Sequence, residues 1–256
     1  MRFSTEPASD RFVGGCIFPH DFYGNIPIQP AICSPVNPGH PPITDKRNDF
    51  IPVIEDGGKV SALDYYVIDK VLDFVEDRAA AGKPIVPCAV NLSRIDFYDP
   101  TLMNHIIDRF ENSDHAPSLV RIEVTESAYA DLERSAMNYL EELKRAGVRI
   151  LLDDFGSGMS SLSTLESFDF DIVKLDIGFI RKIGIRHKAE SIIESTIRLS
   201  HALGAKVTAE GVETKKQLEF LRSVDCDFIQ GYYYYRPVSE GDFSRLLEKG
   251  IKKSEV

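Results

Sequence analysis

Val148-Arg149-Ile150-Leu151-Leu152-Asp153-Asp154-Phe155-Gly156-Ser157-Gly158 carries an apolar run into two adjacent carboxylates and then into glycines. A strand that ends this way can present carboxylates to a divalent metal, although Asp and Gly in this order also open ordinary surface turns. The pattern recurs along the chain. Pro87 to Asn91, Leu119 to Glu123, Ile172 to Lys174, Lys206 to Glu210 and Phe228 to Gln230 are apolar, β-branched runs that each close on one polar or charged residue. Most lead into an amphipathic helical stretch. Strands buried on both faces, alternating with helices of roughly 10 to 20 residues, describe a parallel sheet joined by βα crossovers. At least six such units are visible, and closure into a (β/α)8 barrel puts the C-terminal strand ends at one mouth. Asn91, Glu123, Asp153, Asp154, Lys174, Glu210 and Gln230 then share a pocket.

The 256 residues suit one α/β barrel of about 250 residues. The expected division is a tail at 1–10, one barrel domain at 11–250 and a tail at 251–256. A formal charge of −10 argues against a duplex nucleic-acid binder, and no Lys/Arg cluster is long enough to make a basic arm. A nucleotide remains compatible with this charge, because a bound metal supplies positive charge locally. Cys16, Cys33, Cys88 and Cys226 show no CxxC spacing, which suits reduced thiols in a cytoplasmic protein and disfavours zinc. The longest apolar runs fall far short of the ~20 residues that cross a bilayer, so no membrane segment is expected.

Residues 1–50 carry Pro19, Pro27, Pro30, Pro35, Pro38, Pro41 and Pro42, and read as short strands among turns. From Ser61, the spacing of Leu63, Val67, Ile68, Val71, Leu72 and Val75 predicts a helix that Gly82-Lys83-Pro84 ends. Further helices are expected over Leu102 to Phe110, Ala128 to Leu143, Ser160 to Leu165, Glu190 to Leu203 and Lys215 to Leu221. Tyr232 to Tyr235 reads as a strand running past the pocket mouth, with a base-stacking platform as the alternative.

Carboxylates with an amide oxygen suit Mg or Mn, and the absence of His and Cys near these positions argues against Zn or Cu. Two metals bridged by a carboxylate can hold a phosphate oxygen and convert a shared water to hydroxide, a layout that Asp153 and Asp154 fit. Lys174, its pKa lowered by burial yet supported by carboxylates, is the candidate to orient or deprotonate that water. Blander accounts exist for each residue: a turn at Asn91, strand and helix-entry roles for Glu123 and Glu126, a structural ion pair at Lys174. They must all coincide at the same end of six strands.

Asn91-Leu92-Ser93, Glu123-Val124-Thr125-Glu126-Ser127, Asp153-Asp154-Phe155-Gly156-Ser157-Gly158, Val173-Lys174-Leu175-Asp176, Ala209-Glu210-Gly211-Val212-Glu213 and Gln230-Gly231-Tyr232 resemble the successive motifs of the EAL family. These are the cyclic-di-GMP phosphodiesterase domains of bacterial second-messenger signalling. The resemblance covers roughly residues 50 to 240 and implies a modified (β/α)8, TIM-type barrel that opens one phosphodiester of cyclic-di-GMP to give linear pGpG. By it, Asn91, Glu123, Asp153, Asp154 and Glu210 match metal ligands, with Asp153 bridging. Lys174 matches the water-activating lysine, and Glu126 the residue that steadies the loop after Asp154. Glu213 and Gln230 match further site positions, with Gln230 and Asp154 toward the substrate. Members of the family commonly pair through the segment after the Asp-Asp loop, which puts a homodimer contact at Met159 to Phe170.

The chain departs from the family at the Glu-Ala-Leu triplet itself. Pro30-Ala31-Ile32 falls on it, so Pro30 replaces a metal-binding Glu, and Ser34 replaces an Arg that binds substrate phosphate. Proline offers a carbonyl and no carboxylate, and serine cannot make a bidentate phosphate clamp. The expectation is impaired hydrolysis, with a cyclic-di-GMP receptor or a protein-interaction module as the alternatives.

Overall fold

A computed structural model of the protein describes residues 60–157, 161–236, 238 and 240–249. The Pro-rich segment with Pro30 and Ser34, both tails, and Gly158, Met159 and Ser160 lie outside the described residues. Six strands, β1 (Cys88–Asn91), β2 (Val120–Thr125), β3 (Arg149–Phe155), β4 (Ile172–Leu175), β5 (Lys206–Ala209) and β6 (Phe228–Ile229), pair in parallel and in chain order. Helix α1 (Val60–Ala80) precedes β1, and α2 (Pro100–Glu111) and α3 (Ala116–Leu119) connect it to β2. Then come α4 (Glu126–Ala130) and α5 (Arg134–Arg145) before β3, and α6 (Ser161–Ser167) before β4. After β4 lie α7 (Ile177–Ile180) and α8 (His187–Ala202), then α9 (Lys215–Ser223) after β5 and α10 (Glu240–Lys249) after β6. Among the described residues no helix is long and apolar enough to cross a membrane.

Alternation along the strands divides the apolar residues into two sets. Cys88, Val90, Val120, Ile122, Val124, Ile150, Leu152, Val173, Leu175 and Val207 join the main core, where Ile68, Leu72, Ile106, Leu140, Ile197 and Leu221 of the helices cover the sheet. Leu151, Ile172 and Phe228 form a separate small cluster with Ala89 packed against it. Ala89 lies on β1 and Phe228 on β6, the first and last of the six strands, so their shared cluster requires the sheet to curl around an inner face. Two residues on from each of Ala89, Leu151, Ile172 and Phe228, the same parity gives Asn91, Asp153, Lys174 and Gln230.

The register has one fault. Leu152 pairs with Val173 and Phe155 with Leu175, so Asp153 and Asp154 together oppose Lys174. This is a bulge, in which two residues face one and the extra residue is re-aimed. Asp154 takes φ 54°, a left-handed conformation that Asp tolerates better than most side chains. The bulge is how two consecutive strand residues reach the same mouth.

Two expectations are corrected. The helix expected over Ala128 to Leu143 is two helices: the Thr125 hydroxyl caps α4 by accepting from Ala128 N–H, and the chain breaks at Asp131 before α5 starts. Tyr232 to Tyr235 is a turn and not a strand. Tyr234 N–H donates to Gly231 O and Tyr233 N–H to Val212 O, so the backbone folds back on the β5 loop after two residues of β6.

An acid pair, Asp96 buried and Asp64 partly buried, ties α1 to the turn after β1. Asp96 is fully buried, and its Oδ2 accepts from the N–H and hydroxyl of Ser93, each at 2.7 Å. Burial and then the Asp96 charge push the Asp64 carboxyl from its ordinary 3.8 up to about 8. The folded state therefore holds a proton that the unfolded chain has released, and this contribution to stability is lost as pH rises from about 4 to about 8. Asp64→Asn, a neutral mimic of the protonated acid, should flatten that loss. Urea midpoints across this range check it, and parallel profiles for the two proteins would contradict the assignment.

Candidate functional site

Lys174, the third residue of β4, is 4% exposed and yet carries an ammonium. Its Nζ lies 2.9 Å from Glu123 Oε2, 2.9 Å from Asp153 Oδ1 and 2.8 Å from Glu210 Oε1. These three acids come from the end of β2, the bulge of β3 and the residue after β5, so the site exists only once the strands are aligned. Three carboxylates around one ammonium leave two negative charges uncompensated in a largely buried pocket, a costly arrangement unless protons or a further cation arrive.

The acids register that shortage. Burial raises Glu123, with Lys174 opposing and Asp153 adding to the rise. Glu210 is pushed up to about 7 by burial, again with Lys174 pulling it down and Asp153 pushing it up. Asp154 is raised by burial, then by Asp153 and Asp176. Burial by itself would lower Lys174, but the surrounding Glu123, Asp153 and Glu210 charges reverse this and raise it. The sequence expectation of a lysine with a lowered pKa is thus corrected: with its carboxylates turned toward it, Lys174 is a firmly held cation.

A divalent ion fits the unmet charge. Asp153, Asp154 and Glu210 each offer a carboxylate oxygen, and these atoms lie within 4.8 Å of one another. Oxygen-only donors of this kind suit hard cations such as Mg or Mn. Asn91 ends β1 opposite Glu123 in the register, at the rim of the same group. Glu126 is 2% exposed, and its Oε2 accepts from Gly156 N–H at 2.9 Å, which holds the loop just beyond Asp154. Gln230 is fixed by its backbone, donating to Ala209 O at 2.9 Å and accepting from Val212 N–H at 3.1 Å. Glu213 is exposed, and its backbone N–H is held by Gln217. Next to Gln230 the tyrosine turn leaves Tyr232 half exposed, with the Arg236 guanidinium 4.5 Å from its ring centroid.

Residues that carry no charge also build the mouth. Gly156, at φ 91°, leaves no room for a Cβ because Phe179 lies against it, and Gly211, at φ 66°, is closed in the same way by Ile177. Helix α7 thereby spans the loops after β3 and β5. Gln217 locks it from the other side: Nε2 donates to Ile180 O at 3.2 Å, while Oε1 accepts from Glu213 and Thr214 N–H at 2.9 Å. Asp176 caps α7 by accepting from Gly178 N–H at 2.7 Å. Ile177, Phe179, Asp176 and Gln217 were not among the sequence candidates. The apolar Ile177-Gly178-Phe179-Ile180 run behind Asp176 was the available signal, and it resembles any short helix.

Comparison with known proteins agrees with this geometry. The EAL domain family model matches residues 34–237. An uncharacterized signaling protein of Caulobacter vibrioides is 43% identical over 190 residues, which cover 74% of this chain and 23% of that protein. The cyclic di-GMP phosphodiesterase NbdA of Pseudomonas aeruginosa is 33% identical over 189 residues, 74% of this chain and 24% of that protein. The chain thus spans about a quarter of the length of these curated relatives. The solved structure of the PaMucR phosphodiesterase in complex with c-di-GMP superposes with a TM-score of 0.72 at 31% identity, covering 81% of this chain and 83% of that one. The six described β/α units therefore form part of a (β/α)8, TIM-type fold. With the curled sheet, the acid-ringed lysine and a family match over most of its length, the chain belongs to the EAL domain family.

Proposed function

We propose that this domain binds cyclic-di-GMP through a divalent-metal site at the barrel mouth and hydrolyses it slowly to linear pGpG in the cytoplasm. The observation that carries the reading is the Lys174 ammonium within 2.9 Å of three carboxylates, beside a fourth, Asp154, that shares a possible ligand set with two of them. The names of NbdA and PaMucR support the choice of nucleotide. Asn91, Glu123, Asp153, Asp154 and Glu210 would hold Mg or Mn. When bound, such a pair polarises phosphate oxygens and lowers the pKa of a shared water.

The protein's own groups divide the remaining work. Lys174 holds the attacking water in place and balances the charge that grows on the phosphate. Glu126 keeps the loop after Asp154 in one conformation through Gly156 N–H. Gln230 and Glu213 face the substrate side of the mouth. Pro30 and Ser34 withdraw one metal ligand and one phosphate clamp, which is why turnover is slow. A receptor that binds without cutting is the second reading, and these two substitutions favour it.

A homodimer is proposed through Met159 to Phe170. In support, Leu162 on α6 is 68% exposed and Leu203 is 51% exposed. Both line a cavity of about 370 Å³ between α6 and α8. Leu162→Glu should shift light scattering from dimer to monomer, whereas a wild type that stays monomeric at high concentration removes the dimer.

Incubation of the purified chain with cyclic-di-GMP and Mn, followed by chromatography, should yield pGpG slowly. Lys174→Ala should abolish the product. Pro30→Glu with Ser34→Arg should raise turnover at least about tenfold, since each restored charged contact is worth about 1.5–3 kcal/mol. Intact nucleotide in every case would leave the receptor reading. No gain from the double substitution would show that these positions do not explain the defect.

Glu210 also sets a pH dependence. Its carboxyl holds a proton up to about 7, and a metal must displace that proton, so affinity rises with pH below about 7 and levels off above it. Calorimetric Mn titrations should show close to a tenfold gain between about pH 5 and about pH 6, tapering toward about pH 7. Glu210→Gln should bind more weakly and show a shallower slope, since Glu123 and Asp154 are raised as well, and a flat wild-type profile would contradict the role given to Glu210.

A further inference from the structure

The reading just given leaves an electrostatic problem, and the inference here rests on it. A cyclic dinucleotide carries two negative phosphodiesters, the chain has a formal charge of −10, and the pocket floor is carboxylate. The long-range field of the body opposes the approach. Among the described residues, one group of cations is concentrated near the mouth. Arg181, Lys182, Arg186 and Lys188 fall within eight residues, and Lys215 and Lys216 open α9. All six are exposed. Among the described residues only Lys215 of this group has a carboxylate at ion-pair distance, Glu219 at 3.8 Å.

Contacts of Lys182 and Lys216 tie this group of cations to the mouth. Phe179 and Ile177 press α7 onto Gly156 and Gly211, which follow Asp154 and Glu210 in the chain. Lys182 Nζ stands 5.1 Å from the centroid of the same Phe179 ring. Lys216 Nζ donates to Gly184 O at 3.2 Å, which joins the first turn of α9 to the loop after α7. Helices α8 and α9 also begin at this end, as the parallel crossovers require. The acids beside these cations are Asp176, which caps α7 through Gly178 N–H, Glu190, whose Oε1 accepts from Gly184 N–H, the exposed Glu213, and Glu219 beside Lys215.

We infer that this basic rim is the entry route of the anionic nucleotide, capturing it at the mouth before it meets the carboxylate floor. Exposed cations without a carboxylate partner keep their field, which extends about 10 Å at 0.1 M salt. Steering of this kind raises association rates by about 10- to 1000-fold and falls steeply with ionic strength. It acts on the approach and not on the bound state, so its signature is kinetic. With Ser34 at the position where the family resemblance expects a phosphate-binding Arg, the rim is the group of cations near the mouth left to meet the nucleotide's charge.

The test is stopped-flow binding of a fluorescent cyclic-di-GMP analogue to the full chain in Mn. A triple substitution, Lys182→Glu with Arg186→Glu and Lys188→Glu, is compared with a charge-matched control, Arg145→Glu with Arg149→Glu and Arg198→Glu. At about 20 mM salt the rim variant should associate about tenfold more slowly, with dissociation unchanged and the gap closing at about 0.5 M salt. The neutral set Lys182→Gln, Arg186→Gln and Lys188→Gln should fall between it and wild type, and serves if the reversal variant does not fold. An unchanged association rate, an equal loss in the control, or a loss confined to dissociation would overturn the rim's role. A wild type that binds no nucleotide would instead overturn the nucleotide reading, and this inference with it.

Discussion

The ammonium of Lys174 inside a ring of Glu123, Asp153 and Glu210 is the constraint on which the rest of this structure depends. A lone buried ammonium or a lone buried acid cluster would each be strongly unfavourable. Together they hold four strand ends in one arrangement and still leave negative charge unmet, which is the condition for recruiting a hard cation. Fold and chemistry are thereby linked: the barrel supplies the convergence, and the lysine keeps the acids from repelling one another apart. Displacing carboxylates from Lys174 toward a metal would also release the hold on its proton. The same residue that organises the acids is then suited to act on a water.

Much of this was legible in the sequence because burial on both strand faces leaves a simple trace. Runs such as Ile172-Val173, repeated along the chain and each closed by a polar residue, read together as buried strands whose polar ends mark the mouth. The six strands appear where those runs lie, and the acids and lysine expected to converge do so. What periodicity could not show was the bulge. Nothing in Leu152-Asp153-Asp154-Phe155 says that both acids oppose one residue of β4, since strict alternation would send one of them into the helix layer.

The misreadings have local causes. The four tyrosines Tyr232 to Tyr235 have strand propensity, but Gly231 and the carbonyls of the β5 loop offered turn hydrogen bonds that win over it. The start of α4 is fixed locally by the Thr125 cap on Ala128 N–H, while Glu126 is held by Gly156, a partner distant in sequence that periodicity does not show. The expected low pKa of Lys174 considered burial and underweighted three acids brought from three other strands. Likewise Gln217, Phe179 and Ile177 gain importance only through what the fold places against them. These are tertiary effects, and a single chain of letters records them weakly.

The central claim is that this ring of acids is a divalent-metal site used to hold a cyclic dinucleotide. The most direct measurement is a Mn titration followed by electron paramagnetic resonance, with and without cyclic-di-GMP, on wild type and Asp153→Asn. The account predicts loss of free-Mn signal in wild type, enhanced by the nucleotide, and little loss in the variant. Equal Mn uptake by both proteins, or uptake indifferent to the nucleotide, would contradict it.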